Sequence, residues 1–423
     1  MRIFSDVWIP SQAEDDEGDY MSLPVNNLIH QEHLNKKKVW IITLSSFLFG
    51  FVSSILSYNV SFYFQEALKV NNHNVSIYYL FIDAIIFIVL FNLHKIVNRY
   101  GQSNVLFGFL MMKILLVAIL INLPVMMFGS MILVLYLIFG NLARINLDVI
   151  LEIFSTDRMS GRIRGMFLGI FSLGFIMGPK LSMIMKDAYG FRGIFMLIMF
   201  FDVLIFLIDF IWLRDIHHKD ERDYTPMQIV KKFFKHKNLT RIYYIAFLID
   251  FFYATMIIYT PLYLNSIGFS NADLGNMFTF MLLPFLFLQY PVGRIADKWL
   301  GEKELVIVSL IITGFSVAYI YFLDSTSLFV WSIALFMTRI GIAMLEVLRD
   351  SYFYKRIDGG DIAKIDFFRT STSMAYIVFA LMSVVLLQYY DIKSLFLILF
   401  IMMFTGLLPA FRLCDNLAEC EIK

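Results

Sequence analysis

Residues 291–304 read PVGRIADKWLGEKE and hold six charged side chains, whereas the preceding stretch 277–290, MFTFMLLPFLFLQY, holds none. A short, densely charged turn between long apolar stretches is typical of a loop that joins two membrane-spanning helices. Apolar residues make up 59% of the 423-residue chain and charged residues 16%. Soluble domains are instead about half apolar and about a quarter charged. The sequence therefore predicts an integral membrane protein.

The same composition argues against several other classes of protein. The net charge is +1, whereas the basic surface of a nucleic-acid-binding chain shows in its total charge. The two cysteines, Cys414 and Cys420, both lie near the C-terminus and form neither a disulfide framework nor a complete metal site. Gly359-Gly360 is followed by neither Lys-Ser nor Lys-Thr, so it is not a phosphate-binding loop. We therefore expect no enzyme activity, no cofactor, no metal and no nucleic-acid partner.

The apolar stretches of the chain have the length of membrane-spanning helices. A helix crosses roughly 30 Å of hydrocarbon in about twenty residues. The stretches are too long and too continuous for the strands of a membrane barrel. We expect an all-α polytopic membrane protein with twelve transmembrane helices, at 39–64, 76–97, 103–123, 126–153, 164–187, 192–213, 242–264, 272–295, 304–323, 328–350, 367–389 and 393–412.

The basic residues are distributed unequally between the two sides of this topology. The loops on one side carry only four of them, which are Lys69, Lys186, Arg192 and Lys393. The positive-inside rule assigns the other, more basic side to the cytoplasm. That side includes the N-terminal arm 1–38 and the C-terminal tail 413–423. We therefore expect a multi-pass protein of the plasma (inner) membrane with both chain ends in the cytoplasm.

The linker 214–241 is polar at its start and amphipathic further on. Thr225 can cap a helix that begins at Pro226. We expect that helix to lie in the membrane interface through Met227, Ile229, Val230, Phe233 and Phe234. Its lysines then point toward anionic headgroups. The segment is then a solvated linker with one membrane-hugging helix, and the alternative is a docking segment for a calmodulin-like or other regulatory partner.

Several features of the chain recur about 200 residues apart. Asn98-Arg99-x-Gly101 corresponds to Asp297-Lys298-x-x-Gly301. Arg144 and Glu152 correspond to Arg339 and Glu346, and Arg164 corresponds to Arg369. Internal repeats of this kind flank a central site in many membrane transporters. The repeat predicts two pseudo-symmetric six-helix bundles, 39–213 and 242–412.

The charged turn is also similar to a motif of a known family. Gly293-x-x-x-Asp297-Lys298-x-x-Gly301-x-Lys303 resembles the signature loop between the second and third helices of each half in the major facilitator superfamily. In the first copy of the loop, Asn98 replaces the usual Asp, and Gln102 and Ser103 replace basic residues. The resemblance covers residues 39–412, and it implies the two-bundle fold of that family.

The resemblance implies that the two charged turns form a cytoplasmic gate. Glycines permit a tight reversal of the chain and a close approach of helices, and the acid of the turn suits a helix N-terminus. The basic residues of the turns can reach acids at the cytoplasmic ends of the fourth and tenth helices. The gate residues implied in this way are Arg99, Gly101, Glu152, Gly293, Asp297, Lys298, Gly301, Lys303, Glu346 and Asp350. The alternative is a turn that carries only topology signals.

The fifth span holds a second motif of that family. Gly174, Gly178 and Pro179 resemble the glycine and proline motif common in antiporters of the superfamily. Ser182 stands where a later glycine is usual, and this departure disfavours an exporter.

Two arginines lie near the middle of predicted spans. Arg144 lies about 15 Å from the cytoplasmic end of the fourth span, and Arg339 occupies the equivalent place in the tenth. Charges inside a membrane usually face a cavity or a partner. Three roles stay open: structural pairing, as between Arg144 and Asp148 one helical turn away, modulation of a proton-carrying acid, or a clamp for an anionic substrate.

Asp250 is an acid in the middle of the seventh span and has no basic neighbour in its own helix. A carboxylate removed from water favours its protonated form, so Asp250 is a candidate proton carrier. The alternative is a hydrogen bond to a polar side chain of another helix. Further intramembrane candidates are Asp83, Lys113, Lys180, Asp202 and Asp209, and a pair between Lys180 and Asp83 is one arrangement that the sequence allows.

These features together predict a secondary active transporter of a small solute, coupled to protons, that works by alternating access as a monomer in the lipid bilayer. The substrate-binding or ion-coupling residues would be Arg144, Asp148, Asp250 and Arg339. The alternatives are a non-transporting receptor or scaffold on the same fold and an uncoupled facilitator.

Overall fold

The computed structural model describes residues 25–68, 75–123, 127–154, 160–214, 216, 226–296, 300–357 and 362–414. These residues form helices joined by turns, and no β-strand occurs among them. Most of the arm 1–38, Asp297 and Lys298, and most of the tail 413–423 lie outside the described residues. The helices are α1 (Val25–Ser57), α2 (Val60–Leu68), α3 (Ser76–Tyr100), α4 (Gln102–Asn122), α5 (Met127–Phe154), α6 (Ser160–Trp212), α7 (Pro226–Lys235), α8 (Lys237–Ile258), α9 (Thr260–Ser266), α10 (Asn271–Met281), α11 (Leu283–Ile295), α12 (Gly301–Phe322), α13 (Leu328–Tyr354), α14 (Ile362–Leu386), α15 (Ser394–Thr405) and α16 (Leu407–Phe411).

The helices account for all twelve predicted spans. Ten stretches of the described residues are long and apolar enough to cross a bilayer. One of them, Met166–Trp212, contains two crossings, because the backbone leaves the helical region at Gly190 with φ of 63° and ψ of −159°. The helix α3 adds the remaining crossing, since its 25 residues extend about 37 Å. The twelve-helix expectation is therefore confirmed.

Large apolar side chains cover the outer surface of the helices. Ile88, Phe200 and Phe287 are each more than half exposed, and they stand on three different crossings. An apolar surface of this extent is unfavourable in water, but it is the natural contact surface for lipid tails. The protein is a multi-pass integral membrane protein.

Two bundles of common plan make up the structure. In the first bundle α1 packs along α6 and α4 packs against α5, and in the second α12 packs against α13 and α8 against α14. Gly101 directly precedes α4 and Gly301 is the first residue of α12, with φ of 84° and 72°. A residue with a side chain rarely adopts such a backbone, so the two charged turns need glycine for the same reason. The pseudo-symmetry predicted from the repeat is confirmed.

The bundles meet through α3 and α14 and through α6 and α10. We call the end where α6 terminates and α8 begins the linker end, and the opposite end the far end. At the far end, Ser76 accepts hydrogen bonds from Ser383 at 2.8 Å and from Tyr259 at 3.1 Å. Asn271 donates to Asp187 at 2.8 Å across the same interface. These contacts close the far end of the space between the bundles.

The helix α7 begins at Pro226 as predicted, and its cap, Thr225, lies outside the described residues. The predicted placement of its apolar face is wrong for Ile229 and Phe233, which are buried in the protein. The ring of Phe233 packs against those of Phe367 at 4.7 Å and Tyr243 at 5.7 Å. The second bundle therefore covers the face that the sequence assigned to lipid, because α8 and α14 offer aromatic rings at this point.

Candidate functional site

A cavity of about 320 Å³ lies between the two bundles and is lined by helices of both. Its volume falls at the lower end of the roughly 300–1,000 Å³ that small-molecule sites occupy. Nine charged side chains line it, which are Asp83, Lys113, Arg144, Asp148, Asp250, Arg339, Glu346, Arg349 and Arg369. Ionisable groups inside a membrane protein are costly unless they are paired or serve a function. The cavity is therefore the candidate functional site.

The structure brings all four of the predicted binding or coupling residues into this cavity. Arg144 and Asp148 come from α5, Asp250 from α8 and Arg339 from α13. Each bundle contributes one of the two central arginines. The sequence repeat therefore corresponds to two guanidinium groups that face one space from opposite sides.

Asp148 pairs with a residue of the other bundle. Its Oδ2 lies 2.8 Å from Nη2 of Arg369 in α14. The local pair that the sequence suggested with Arg144 is not formed, and Arg144 makes no ion pair with a described residue. Arg369 also lies 3.6 Å from Asp350 and donates to the hydroxyl of Tyr354 at 3.2 Å. An arginine from the neighbouring bundle thus replaces the arginine on the same helix.

Arg144 lies instead in a field of several charges. Asp148, Asp250 and Glu346 are close enough to interact with it electrostatically, and so is the like charge of Arg369. Its side chain is partly exposed, and it lines the cavity. Arg144 thus lines the cavity with no ion pair to any residue that the structure describes, and its guanidinium is available to a ligand.

Arg339 is the most enclosed of the cavity arginines, at 1% exposed. Its guanidinium lies over the ring of Phe252 at 4.8 Å and beside the hydroxyl of Tyr58. Its Nε and Nη1 atoms have no hydrogen-bond partner among the described residues. Unsatisfied donors of a buried charge are costly, which singles out this residue.

Asp250 is held by hydroxyl groups rather than by a base. Its Oδ2 accepts hydrogen bonds from Ser371 at 3.2 Å and from Thr372 at 3.1 Å, both on α14. Its side chain is buried, at 6% exposed. The hydrogen bonds that the sequence allowed as an alternative are therefore present, and no ion pair to a described residue accompanies them.

Glu346 belongs to a second polar group of the cavity. Nε2 of Gln289 donates to its Oε2 at 3.3 Å, and the amide oxygen of Gln289 accepts from Ser172 of the first bundle at 3.4 Å. Glu346, a predicted gate residue, lines the cavity, because α13 turns this face toward α11 and α6.

The remaining predicted gate residues are only partly described. Asp297, Lys298 and the side chain of Glu152 lie outside the described residues. Arg99 is exposed, and its guanidinium lies over the ring of Tyr100 at 5.4 Å. Gly293 lies near the end of α11, and Lys303 is half-buried in the first turn of α12.

A buried acid in the second charged turn forms contacts that the sequence did not suggest. Glu302 accepts from Lys355 at 2.6 Å and from Ser351 at 3.1 Å. Both partners lie at the linker end of α13 or just after it. Asp350, also on α13, pairs with its neighbour Arg349 at 2.8 Å. The second turn is thus fastened to α13 inside its own bundle.

The glycines of the fifth-span motif permit a close contact between α1 and α6. A Cβ atom at Gly174 would overlap the carbonyl oxygen of Phe47, and one at Gly178 would overlap Oγ of Ser54. Pro179 lies inside α6 without ending it. The motif serves helix packing in the first bundle.

Two of the further intramembrane candidates form a buried pair. Nζ of Lys113 lies 2.7 Å from Oδ1 of Asp202, and the hydroxyl of Tyr136 donates to Oδ2 at 2.6 Å. The suggested pair between Lys180 and Asp83 is not formed, because Lys180 is exposed and Asp83 lies close to Ser373 of α14.

Two charged residues of the cavity have no site role in the sequence prediction. Arg369 enters it only as part of the repeat and Arg349 does not enter it, yet both line the cavity. Both lie near the linker-side ends of their helices, where basic residues are expected from topology alone. Their sequence signal was therefore indistinguishable from that of ordinary loop charges.

Residues 145–360, just over half of the chain, match the Major Facilitator Superfamily. The chain belongs to this family of membrane transport proteins. No curated protein sequence matches the chain.

Solved structures share the fold at low sequence identity. The human organic anion transporter MFSD10 (TETRAN) matches with a TM-score of 0.71 and 13% identity, over 89% of this chain and 99% of its own. A mutant of the nucleoside transporter NupG gives 0.66 and 13%, over 89% and 100%. A bacterial homologue of the iron transporter ferroportin in its outward-facing state gives 0.65 and 12%, over 89% and 99%. At such identities the likeness shows the fold alone, and the family membership supports membrane transport.

Proposed function

We propose that the chain is a secondary active transporter that carries a small solute through the central cavity by alternating access, coupled to protons. The observation that carries this proposal is the charged cavity between two bundles of common plan. A binding space at the interface of two repeats becomes accessible to either side when the bundles rock against each other. No enzyme activity is part of the proposal.

The contacts between the bundles support alternating access. The far end is closed by hydrogen bonds of Ser76, Ser383 and Tyr259, which can separate without breaking the packing inside either bundle. The ion pair of Asp148 and Arg369 joins the bundles on the linker side. In this proposal one end opens when the contacts between the bundles at that end separate, while the contacts at the other end remain.

Asp250 is the residue proposed to carry the proton. Protonation of Asp148 would leave Arg369 with one fewer acid, whereas protonation of Asp250 leaves no ion pair broken, because its described partners are hydroxyls. Breaking a buried ion pair is strongly unfavourable. Arg349 and Arg369 lie within electrostatic range of Asp250, so that its charge can influence the linker-side contacts.

The proposed transporter consists of the arm 1–38, the first bundle 39–213, the linker 214–241, the second bundle 242–412 and the tail 413–423. Both chain ends lie in the cytoplasm. We assign the protein to the plasma (inner) membrane as a monomer. The charged turns with Arg99, Gly101, Asp297, Lys298 and Gly301 act as its cytoplasmic gate.

A transport assay tests the coupling. A thermal-stability screen of small metabolites and lipophilic cations first selects a solute that binds, and its uptake into proteoliposomes is then measured against pH. We expect Asp250→Asn to flatten the pH dependence of uptake, and the control Asp391→Asn, at an exposed acid outside the cavity, to keep it. An unchanged pH profile in Asp250→Asn would show that Asp250 is not the coupling residue.

The same assay separates the other candidates. Uptake that ignores an imposed proton gradient identifies an uncoupled facilitator. A solute that binds but never crosses the membrane identifies a receptor or scaffold.

A further inference from the structure

We propose that the solute of the central cavity is an organic anion whose carboxylate or phosphate group binds Arg339. The inference rests on the proposed transport function, since it names the substrate class of the same site. Two observations support it. The buried guanidinium of Arg339 has donors without a hydrogen-bond partner among the described residues, and it lines a cavity that aromatic rings also line.

The guanidinium of Arg339 has hydrogen-bond donors that no described residue uses. Two of its three guanidinium nitrogens, Nε and Nη1, lack a hydrogen-bond partner among the described residues, although the side chain is 1% exposed. The ring of Phe252 covers one face of the group, but a ring face does not accept the in-plane N–H bonds. A ligand oxygen that enters the cavity can accept them, and the hydrogen bond is stronger when that oxygen is charged.

The other cations that line the cavity are more nearly satisfied. Lys113 is paired with Asp202, Arg349 with Asp350, and Arg369 with Asp148. Arg144 has no ion pair with a described residue, and it lies among several acids on the opposite side of the cavity. The anionic group is therefore directed to Arg339 first, with Arg144 as the second cation within the same space.

Three of the four acids that line the cavity, Asp148, Asp250 and Glu346, have partners that a cationic solute would need to displace, and the fourth, Asp83, lies close to Ser373. Asp250 already accepts hydrogen bonds from two hydroxyls, and Glu346 accepts from the amide of Gln289. The hydroxyl of Tyr58 lies beside the guanidinium of Arg339, yet Nε and Nη1 of Arg339 make no hydrogen bond in the described part of the chain. The groups of Arg339 that lack hydrogen-bond partners are donors, so a ligand that binds there must supply acceptors.

The rest of the lining describes the body of the solute. Aromatic side chains from both bundles border the cavity, including Phe49, Phe167, Phe171, Phe175, Tyr253 and Phe285. Aromatic rings favour flat apolar groups, which they contact at their faces or edges. The solute is therefore expected to carry a ring or a comparable apolar body beside its anionic group.

Charge-matched probes test the inference with the full-length purified chain. The anions are benzoate, 3-phenylpropionate and phenyl phosphate, the neutral matches are benzamide and 3-phenylpropionamide, and the cation is phenethylamine. We expect at least one anion to raise the unfolding temperature with an apparent Kd at least about tenfold lower than that of its neutral match. The carboxylate and phosphate arms tell which anionic group is preferred.

Variants locate the site. Arg339→Gln is expected to weaken the binding of that anion by about 10- to 100-fold, the range for loss of a charge-assisted hydrogen bond. Arg339→Lys keeps the charge and should retain part of the affinity. The matched control Arg412→Gln, at an exposed arginine of the linker end, should leave the affinity unchanged. If Arg339→Gln does not fold, the comparison of anion and amide in the unaltered chain still decides the substrate class.

Three results overturn the inference: no anion binds, the neutral or cationic probes bind as tightly, or Arg339→Gln binds the anion as before. Uptake of the probes into proteoliposomes then separates this inference from the proposed function. If only a neutral or cationic probe is taken up, the proposed transport function holds and the proposed anionic substrate is wrong. If an anion binds at Arg339 but no probe is taken up, the proposed anion site holds and the proposed transport function is wrong.

Discussion

Asp148 and Arg369 lie in different bundles, yet their side chains approach to 2.8 Å. The pair forms although Arg144 stands one helical turn from Asp148 on the same helix. An ion pair between the bundles depends on how they are placed relative to each other, whereas a pair within one helix does not. Asp148 therefore joins the two bundles as well as lining the cavity.

A double-mutant cycle on this pair should reveal a coupling of about 1–3 kcal/mol. Asp148→Asn and Arg369→Gln are each expected to lower the free energy of unfolding in detergent, and the double variant to lose less than their sum. When Asp148 is neutral, Arg369 still has Asp350 at 3.6 Å, and this second acid limits the loss of unfolding free energy. A parallel cycle of Asp148→Asn with Arg412→Gln should be additive within about 0.5 kcal/mol, and equal coupling in both cycles would contradict a specific pair.

A cross-link at the far end should stop transport. The Oγ atoms of Ser76 and Ser383 lie 2.8 Å apart across the bundle interface, so cysteines there can form a disulfide after small shifts. In a background with Cys414 and Cys420 replaced by serine, oxidation of Ser76→Cys with Ser383→Cys should reduce proteoliposome uptake to background, and reduction should restore it. Each single cysteine variant serves as a control. Full uptake by the oxidised double variant would mean that the far end need not open.

The contact between α1 and α6 should tolerate no side chain at Gly174. Gly174→Ala places a Cβ against the backbone of Phe47, and overpacking of this kind costs about 1–3 kcal/mol. Gly169→Ala, in the same helix with open space around its Cβ position, should be neutral or slightly stabilising, because alanine favours the helix. Thermal unfolding of both variants measures the difference, and equal unfolding temperatures would argue against the close helix contact.

The buried pair of Lys113 and Asp202 should be structural. Lys113→Met leaves the carboxylate of Asp202 with the hydroxyl of Tyr136 and without its cation, and breaking a buried pair costs about 3–5 kcal/mol. Lys113→Met combined with Asp202→Leu should recover much of that loss, because no charge stays buried alone. The exposed Lys180→Met is the matched control, expected within about 0.5 kcal/mol of the unaltered chain. A double variant less stable than the single one would contradict this account.

The elements of the fold could be predicted because their signals are local. The length of each apolar stretch set the crossings, and the spacing of the charged turns set the repeat. The positive φ angles of Gly101 and Gly301 show why glycine stands in both turns. A tight turn imposes its requirement on one residue, and that requirement is visible in the sequence.

The partners within the cavity could not be predicted in the same way. Asp148 and Arg369 are more than 200 residues apart in the chain, and one sequence does not tell which arginine reaches the acid first. The prediction for the face of α7 failed for a related reason. Its pattern showed that Ile229 and Phe233 avoid water, but lipid and protein satisfy that need equally.

The position of α7 limits how far the two halves can separate. Ile216 is fastened to the first bundle through its amide and the hydroxyl of Ser103, at 3.0 Å, while Phe233 anchors α7 to the second. The ten peptide units between Ile216 and Pro226 extend at most about 35 Å. This covalent tether permits a rocking motion but sets an upper bound on the width of any opening at that end. Deleting residues of the segment 217–225 one at a time should, below some length, prevent the conformation with the widest opening at the linker end. Conformations with a narrower opening should remain.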